Sequence, residues 1–184
     1  MAGTREDGDA AGAGRRGGGD GEARAAELDR IGSKLERLSA QRRALRRAMR
    51  QFGEDFDVGV WEDAFASADP DDINRVFTVT GGYMALLNNT VEAVRVGAKL
   101  AGVKPAEGML GTSGLIEAIR IDGGFTDQQA QTFIELYRTR NGLQHSSPGI
   151  QADEVHRQVR LLLRHLPRFV ESYLSWLEGR GIEL

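Results

Sequence analysis

The sequence predicts an all-α fold, a helical bundle carrying a long N-terminal amphipathic helix of coiled-coil character. Three observations carry this. Apolar residues recur at three- and four-residue steps over most of the chain, which is the period of a helix face. Start and stop signals bracket those stretches. No stretch shows the apolar–polar alternation of a half-buried strand. At 184 residues and 40% hydrophobic content there is material for one ordinary core.

Residues 1–21, "MAGTREDGDAAGAGRRGGGDG", are glycine-rich and charged without periodic apolar positions. Such a leader cannot offset the entropy of ordering itself, so it is expected to be disordered. From 22 to 53 the pattern becomes a heptad seam: Leu28, Ile31, Leu35, Leu38, Leu45, Met49 and Phe52, with Arg42 at the one missing apolar position. The seam fits a coiled coil between two copies, or a helix folded back on its own domain. Arg30 to Arg50 holds eight basic residues and one acid, Glu36, whereas Glu54 to Asp72 holds eight acids and no base. Residues 54–69 read as an acidic connector whose charge pairs with the basic helix, which weakens a nucleic-acid role for that helix.

Residues 70–178 form the main domain. Asp69-Pro70 caps and opens a long helix, with Ile73, Val76, Phe77, Met84, Leu87, Val91, Val94 and Leu100 as its buried stripe. Gly81-Gly82 marks a bend or a close helix crossing, and Gly102 and Pro105 end the element. A short helix follows over 112–121, closed by Gly123-Gly124. Thr126 and Gln129 make a capping box for a helix that turns Ala130, Phe133, Ile134 and Tyr137 inward, and Asn141-Gly142 is a stop signal. The last helix runs over 152–177 on Val155, Val159, Leu162, Leu166, Val170, Tyr173 and Leu177, with a kink expected at Pro167. Residues 179–184 are a tail. Asn88 and Glu92 read as a satisfied polar pair, and His156 as an exposed residue.

Several function classes drop out. The chain has no cysteine, which removes disulfides, thiol nucleophiles and thiolate metal sites. No apolar run approaches the roughly 18 residues of a membrane span, and no secretory leader is legible, so a cytoplasmic protein without a membrane partner is expected. No carboxylate–histidine cluster has metal-ligand spacing and no glycine loop resembles a phosphate cradle, so neither metal nor cofactor is expected. The excess of arginine over lysine reads first as the codon bias of a GC-rich bacterial genome.

Chemistry concentrates in "ELYRTRNGLQHSSPG", residues 135–149. Arg140 and His145 have the residue types that cut RNA without a metal: an imidazole that transfers protons near neutrality and a guanidinium fork that matches phosphate oxygens. Arg160 and His165 repeat the spacing, but inside a continuous helix five residues turn side chains about 140° apart. The stop at Asn141-Gly142 instead leaves His145 free to turn toward Arg140, or toward the same motif in a second copy.

On "RNGLQH" and the helix order around it, residues 70–178 resemble the HEPN domain of prokaryotic ribonucleases and toxins; Leu143 fits the apolar position of the toxin branch. The resemblance implies a metal-independent endoribonuclease, a toxin or defence effector, working as a homodimer with both motifs facing one cleft. It implies His145 as general acid/base, Arg140 as electrostatic stabiliser, Asn141 as a positioning residue, and an antitoxin or defence-system protein as partner. The pattern departs from the family at one place: where partner-silenced toxins carry a nucleotide-accepting tyrosine, this chain has Ser147, and modification at Ser146 or Ser147 would be a new arrangement. Arg157, Arg160, Arg164 and Arg168 recur along one side of the last helix and, with Arg138, are candidates to track an RNA backbone. Two further readings keep the fold without the reaction: a catalytically inactive binding or assembly module, and a helical adaptor that holds nucleic acid through its arginine faces.

Overall fold

The computed structural model describes residues 18–105, 107–144 and 151–184. Among them the fold is all-α: α1 (Gly18–Met49), α2 (Val58–Ala66), α3 (Pro70–Leu100), α4 (Gly111–Ile121), α5 (Asp127–Gln144) and α6 (Ala152–Gly179), with a single 3-10 turn, Arg50–Phe52, after α1. The expected leader lies outside the described residues as far as residue 17, and α1 takes in the rest of it. No helix among the described residues is long and apolar enough to cross a membrane.

The heptad seam is used inside the chain. Ile31, Leu38, Leu45 and Phe52 are buried, and Leu28, Leu35 and Met49 pack at their edges. Each full burial removes about 1.5–3 kcal/mol of apolar exposure, enough to hold the helix on its partner, α3. Polar contacts fix the direction of the pair. Lys99 Nζ lies 2.6 Å from Glu27 Oε1, Arg30 Nη2 3.1 Å from Glu92 Oε2, and Lys34 Nζ 3.0 Å from Asn89 Oδ1. Farther along, Arg75 Nη1 donates to Gln51 O at 3.1 Å. As α1 advances α3 recedes, so the two are antiparallel. Gly82 faces α1, where an added Cβ would meet Leu45 Cδ1 at 3.2 Å. Asn89, not Asn88, carries polar contacts here, since its Nδ2 also donates to Gln41 Oε1, and Glu92 pairs with Arg30 and Arg95. The expected Asn88–Glu92 pair therefore does not form.

The acidic connector contains a helix that charge counting hid. Asp57 caps α2 by accepting from Val60 N at 2.9 Å. Trp61, fully buried, stacks edge-on against Phe52 and Phe56 at 5.1 and 5.3 Å. Its indole Nε1 donates to Ala152 O at 2.7 Å, tying α2 to the start of α6.

At α3, Asp69 caps as expected, accepting from Asp71 N at 2.8 Å ahead of Pro70. The stripe shifts, however. Ile73 and Phe77 are exposed, Phe77 at 69%, while Val79, Tyr83, Leu86 and Ala98 are buried. The reason is topological: α3 contacts every other helix, so its middle and C-terminal turns are covered on more than one side and no single stripe describes them. The capping box forms in both directions, Thr126 N to Gln129 Oε1 at 2.8 Å and Gln129 N to Thr126 Oγ1 at 3.2 Å. The stop at Asn141-Gly142 does not: α5 continues through both residues to Gln144. α6 likewise continues through Pro167.

Candidate functional site

The C-terminal turns of α5 place Tyr137, Arg140 and Asn141 at i, i+3 and i+4, on one side of the helix. Arg140 Nη1 donates to Asn141 Oδ1 at 2.8 Å. Its Nε is enclosed by protein and has no hydrogen-bond partner among the described residues, a costly state for part of a cation and one that an incoming oxygen would relieve. The Tyr137 hydroxyl lies near the side chains of Thr112 and Asn141, both of which draw its pKa down. Thr112, buried in the first turn of α4, accepts from Arg95 of α3, whose Nη2 and Nε stand 2.7 and 3.1 Å from its Oγ1. Polar side chains of three helices thus gather here: the Arg95–Thr112 pair on one side, Arg140 with Asn141 on the other, and Tyr137 between them.

The electrostatics follow from that gathering. Thr112 holds the Tyr137 phenol below the ordinary tyrosine range, against the desolvation that opposes ionisation; Asn141 and the charges of Arg95 and Arg140 add to the effect. One guanidinium, Arg95, is partly neutralised by Glu92 at 3.2 Å. Arg140 makes no ion pair with a carboxylate among the described residues. The half-buried, net-positive surface so formed can take an anion, and a phosphate oxygen has the geometry for a guanidinium fork.

Of the residues singled out in the sequence, Arg140 and Asn141 are brought together, while His145, Ser146 and Ser147 lie outside the described residues. Arg138 is exposed on a different side of α5. Arg157 is committed to carboxylates: Nη2 to Glu154 at 2.8 Å and Nη1 to Glu135 at 3.1 Å, with its pKa raised mainly by the Glu154 bond. It therefore binds α5 to α6 and is not free for a phosphate. Arg160 and Arg164 turn toward the end of α1 and line a cleft there, and Arg168 is exposed beyond them. The five arginines do not form one continuous track. His156 corrects the expectation of exposure: only 8% exposed, it stacks on Phe56 at 4.3 Å, and its Nε2 donates to Phe56 O at 2.6 Å. Among the described residues no group of three or more His, Asp or Glu stands close enough to hold a metal ion.

Sequence reasoning missed Arg95 and Thr112 and took Tyr137 for core. The i, i+4 spacing of Tyr137 and Asn141 was the one available signal, since Arg95 and Thr112 join the site only through tertiary packing. In comparisons with known proteins, the chain matches no protein-family model, no curated protein and no solved structure.

Proposed function

We propose that the chain is a HEPN-like, metal-independent endoribonuclease with Arg140, Asn141 and His145 at its reaction centre, acting as a homodimer. The observation that supports this most is the half-buried Arg140 guanidinium: hydrogen-bonded to Asn141, short of a partner at Nε, and gathered with Tyr137 and the Arg95–Thr112 pair. In the reaction, the ribose 2′-oxygen attacks the adjacent phosphorus and the bond to the 5′-oxygen breaks, leaving a 2′,3′-cyclic phosphate. The 2′-hydroxyl proton must be accepted and a proton delivered to the departing 5′-oxygen. The imidazole of His145 serves both in turn: as base it takes the 2′-hydroxyl proton, and as imidazolium it delivers that proton to the 5′-oxygen. Arg140 stabilises charge building on the phosphorane oxygens, while Asn141 fixes the guanidinium.

The experiment is RNA cleavage by the purified chain in EDTA. Arg140→Ala and His145→Ala should each abolish cutting while leaving thermal unfolding near that of the parent. Removal of a preorganised charge stabiliser costs roughly a hundredfold or more in rate. Two mutants that cut as well as the parent would remove both residues from the reaction.

A catalytically silent assembly module is the second reading. It is favoured by Phe77 and Ile73, one turn apart on α3 and both exposed, where an apolar face remains uncovered. Association that weakens on Phe77→Asp, in a protein that cuts no RNA, would select it, with a second copy or an antitoxin-type protein as the partner.

A further inference from the structure

Where the end of α1 meets the middle of α6, the chain forms an open cleft of about 460 Å³, within the size range of small-ligand sites. Each wall brings two arginines, Arg46 and Arg50 from one side, Arg160 and Arg164 from the other. Within each pair the residues are four apart, about one helical turn or 6 Å along the backbone axis. Glu54 and Asp55 stand on the rim.

Among the described residues these four arginines make no ion pair with a carboxylate, as Arg37, Arg43, Arg47 and Arg138 also do not; what marks them is that they converge on one cleft. Arg30, Arg75, Arg95, Arg120, Arg157 and Arg180 all sit within ion-pair distance of a carboxylate. Among the described residues, none of the four cleft arginines does, although Glu54 and Asp55 share the cleft with them. The nearest approach is Arg160 Nη1 to the backbone oxygen of Asp55, a long 3.4 Å. Four cations facing two unpaired carboxylates leave an excess of two positive charges in one concavity. In a chain with 27 acids to 24 bases, that excess is a local arrangement and not a reflection of bulk charge.

The rim is also fixed in place. Phe56 lies against the cleft with a positive φ of 56°, which an L residue adopts only under constraint. The constraint is visible: its carbonyl accepts from His156 Nε2, its ring stacks on that imidazole, and its edge meets Phe52 and Trp61. The loop carrying Glu54 and Asp55 is therefore held where its carboxylates stay out of ion-pair range of the arginines. The carboxylates are thus preset clear of the arginines and need not move for an anion to enter.

We propose that this cleft binds a phosphomonoester dianion between the two arginine pairs, carried either by a free nucleotide or by the 5′ end of an RNA. Its charge matches the excess of the cleft, and its oxygens can take a guanidinium from each wall. The site is separate from Arg140 and does not rest on the ribonuclease reading.

The test is isothermal titration of the full chain with adenosine monophosphate and with short 2′-O-methyl RNAs bearing either a 5′-phosphate or a 5′-hydroxyl. The methylated RNAs lack the nucleophile for cleavage, so binding is measured apart from any reaction. Binding of the monophosphate or the 5′-phosphorylated RNA is expected, with the tighter of the two naming the source of the phosphate. Arg50→Ala and Arg164→Ala, both at exposed positions, should each weaken it roughly tenfold, as loss of a charged hydrogen bond does. Lysine at either position should restore part of the loss, and Arg43→Ala, exposed on α1 outside the cleft, should change nothing. No binding of either phosphate probe, equal affinity for 5′-phosphate and 5′-hydroxyl RNA without binding of adenosine monophosphate, or equal weakening by Arg43→Ala would overturn the proposal.

Discussion

Gly97→Ala sets two sizeable effects against each other. Gly97 lies in the interior of α3, where alanine is favoured over glycine by about 1 kcal/mol. Were propensity decisive, the substitution would stabilise the protein. The crossing of α3 with α6 points the other way. A Cβ at Gly97 would overlap Tyr173 Oη outright and stand 2.8 Å from its Cζ and 3.0 Å from Leu177 Cδ2. Neither residue can withdraw cheaply, because both are buried and the Tyr173 hydroxyl donates to Ala93 O at 2.6 Å. Forcing a methyl group into such packing costs about 1–3 kcal/mol, and losing the buried hydrogen bond about 1–3 kcal/mol more. Set against the propensity gain, the net is a destabilisation of about 3 kcal/mol, which for a chain of this size lowers Tm by roughly 6–12 °C. Thermal unfolding followed by circular dichroism measures it. Tyr173→Phe alone should cost about 1 kcal/mol, but in the Gly97→Ala background it should cost less, because it removes the worst overlap. An unchanged or raised Tm for Gly97→Ala would refute the packing argument. The crossing matters to the site as well, since Arg95 stands two residues before Gly97 and would be carried away from Thr112.

The remaining predictions concern charge. The chain has three tyrosines, and they should titrate in two stages by ultraviolet absorbance: Tyr137 first, below the ordinary phenol range, then Tyr83 and Tyr173, which burial pushes well above it. Tyr137→Phe should delete the early stage alone. For the late pair the folded pKa is raised, so their contribution to stability is present below pH of about 10 and is lost as pH rises beyond it, with alkaline unfolding as the readout. On the acid side, hydrogen bonds from Arg120, Arg75 and Lys99 hold Glu117, Asp72 and Glu27 below the usual carboxylate range. Depressed carboxylates contribute stability above their unfolded pKa of about 4 and lose it as pH falls through the folded value, so urea midpoints should drop below that pH. Glu117→Gln should shrink the drop. Arg42 occupies the polar gap in the α1 seam with its Nε enclosed and unpartnered, so Arg42→Leu should raise stability by about 1 kcal/mol in chemical denaturation; a loss would mean that its outer nitrogens contribute more than the buried one costs.

The features that local chemistry governs were legible in the sequence. The Asp69-Pro70 start and the Thr126–Gln129 box are set by residues within a turn of one another, and both form. The α1 seam was legible as a surface needing cover, but not its partner, because the heptad pattern is blind to whether the opposing apolar face belongs to the same chain. What the sequence hid depends on non-local contacts. α2 was masked by its own acidity, though Trp61, the residue that anchors it, meets Ala152 only through tertiary structure. His156 looked exposed at a helix start because nothing local announces the Phe56 ring and carbonyl that cover it. Phe77 looked buried because a stripe on paper carries no information about where the neighbouring helices end.

The misread stop at Asn141-Gly142 changes the geometry required of any reaction centre there. Asparagine and glycine each cost a helix about 1 kcal/mol or less relative to alanine, and the Tyr137–Asn141 contact and the packing of Leu143 against the core offset that. With α5 helical to Gln144, the break at Gly142 that was expected to let an imidazole close on Arg140 within one chain does not form. On the ribonuclease reading, the imidazole that serves Arg140 of one copy is then best supplied by the other. Mixed dimers test this directly. Arg140→Ala and His145→Ala chains, each inactive alone, should regain cleavage on mixing, because the mixed dimer rebuilds one site from the intact arginine of one chain and the intact histidine of the other. A site contained within one chain would gain nothing from mixing. If the parent cuts RNA and the mixture of mutants stays silent despite subunit exchange, the shared site is excluded, and Arg140 and His145 must meet within a single protomer.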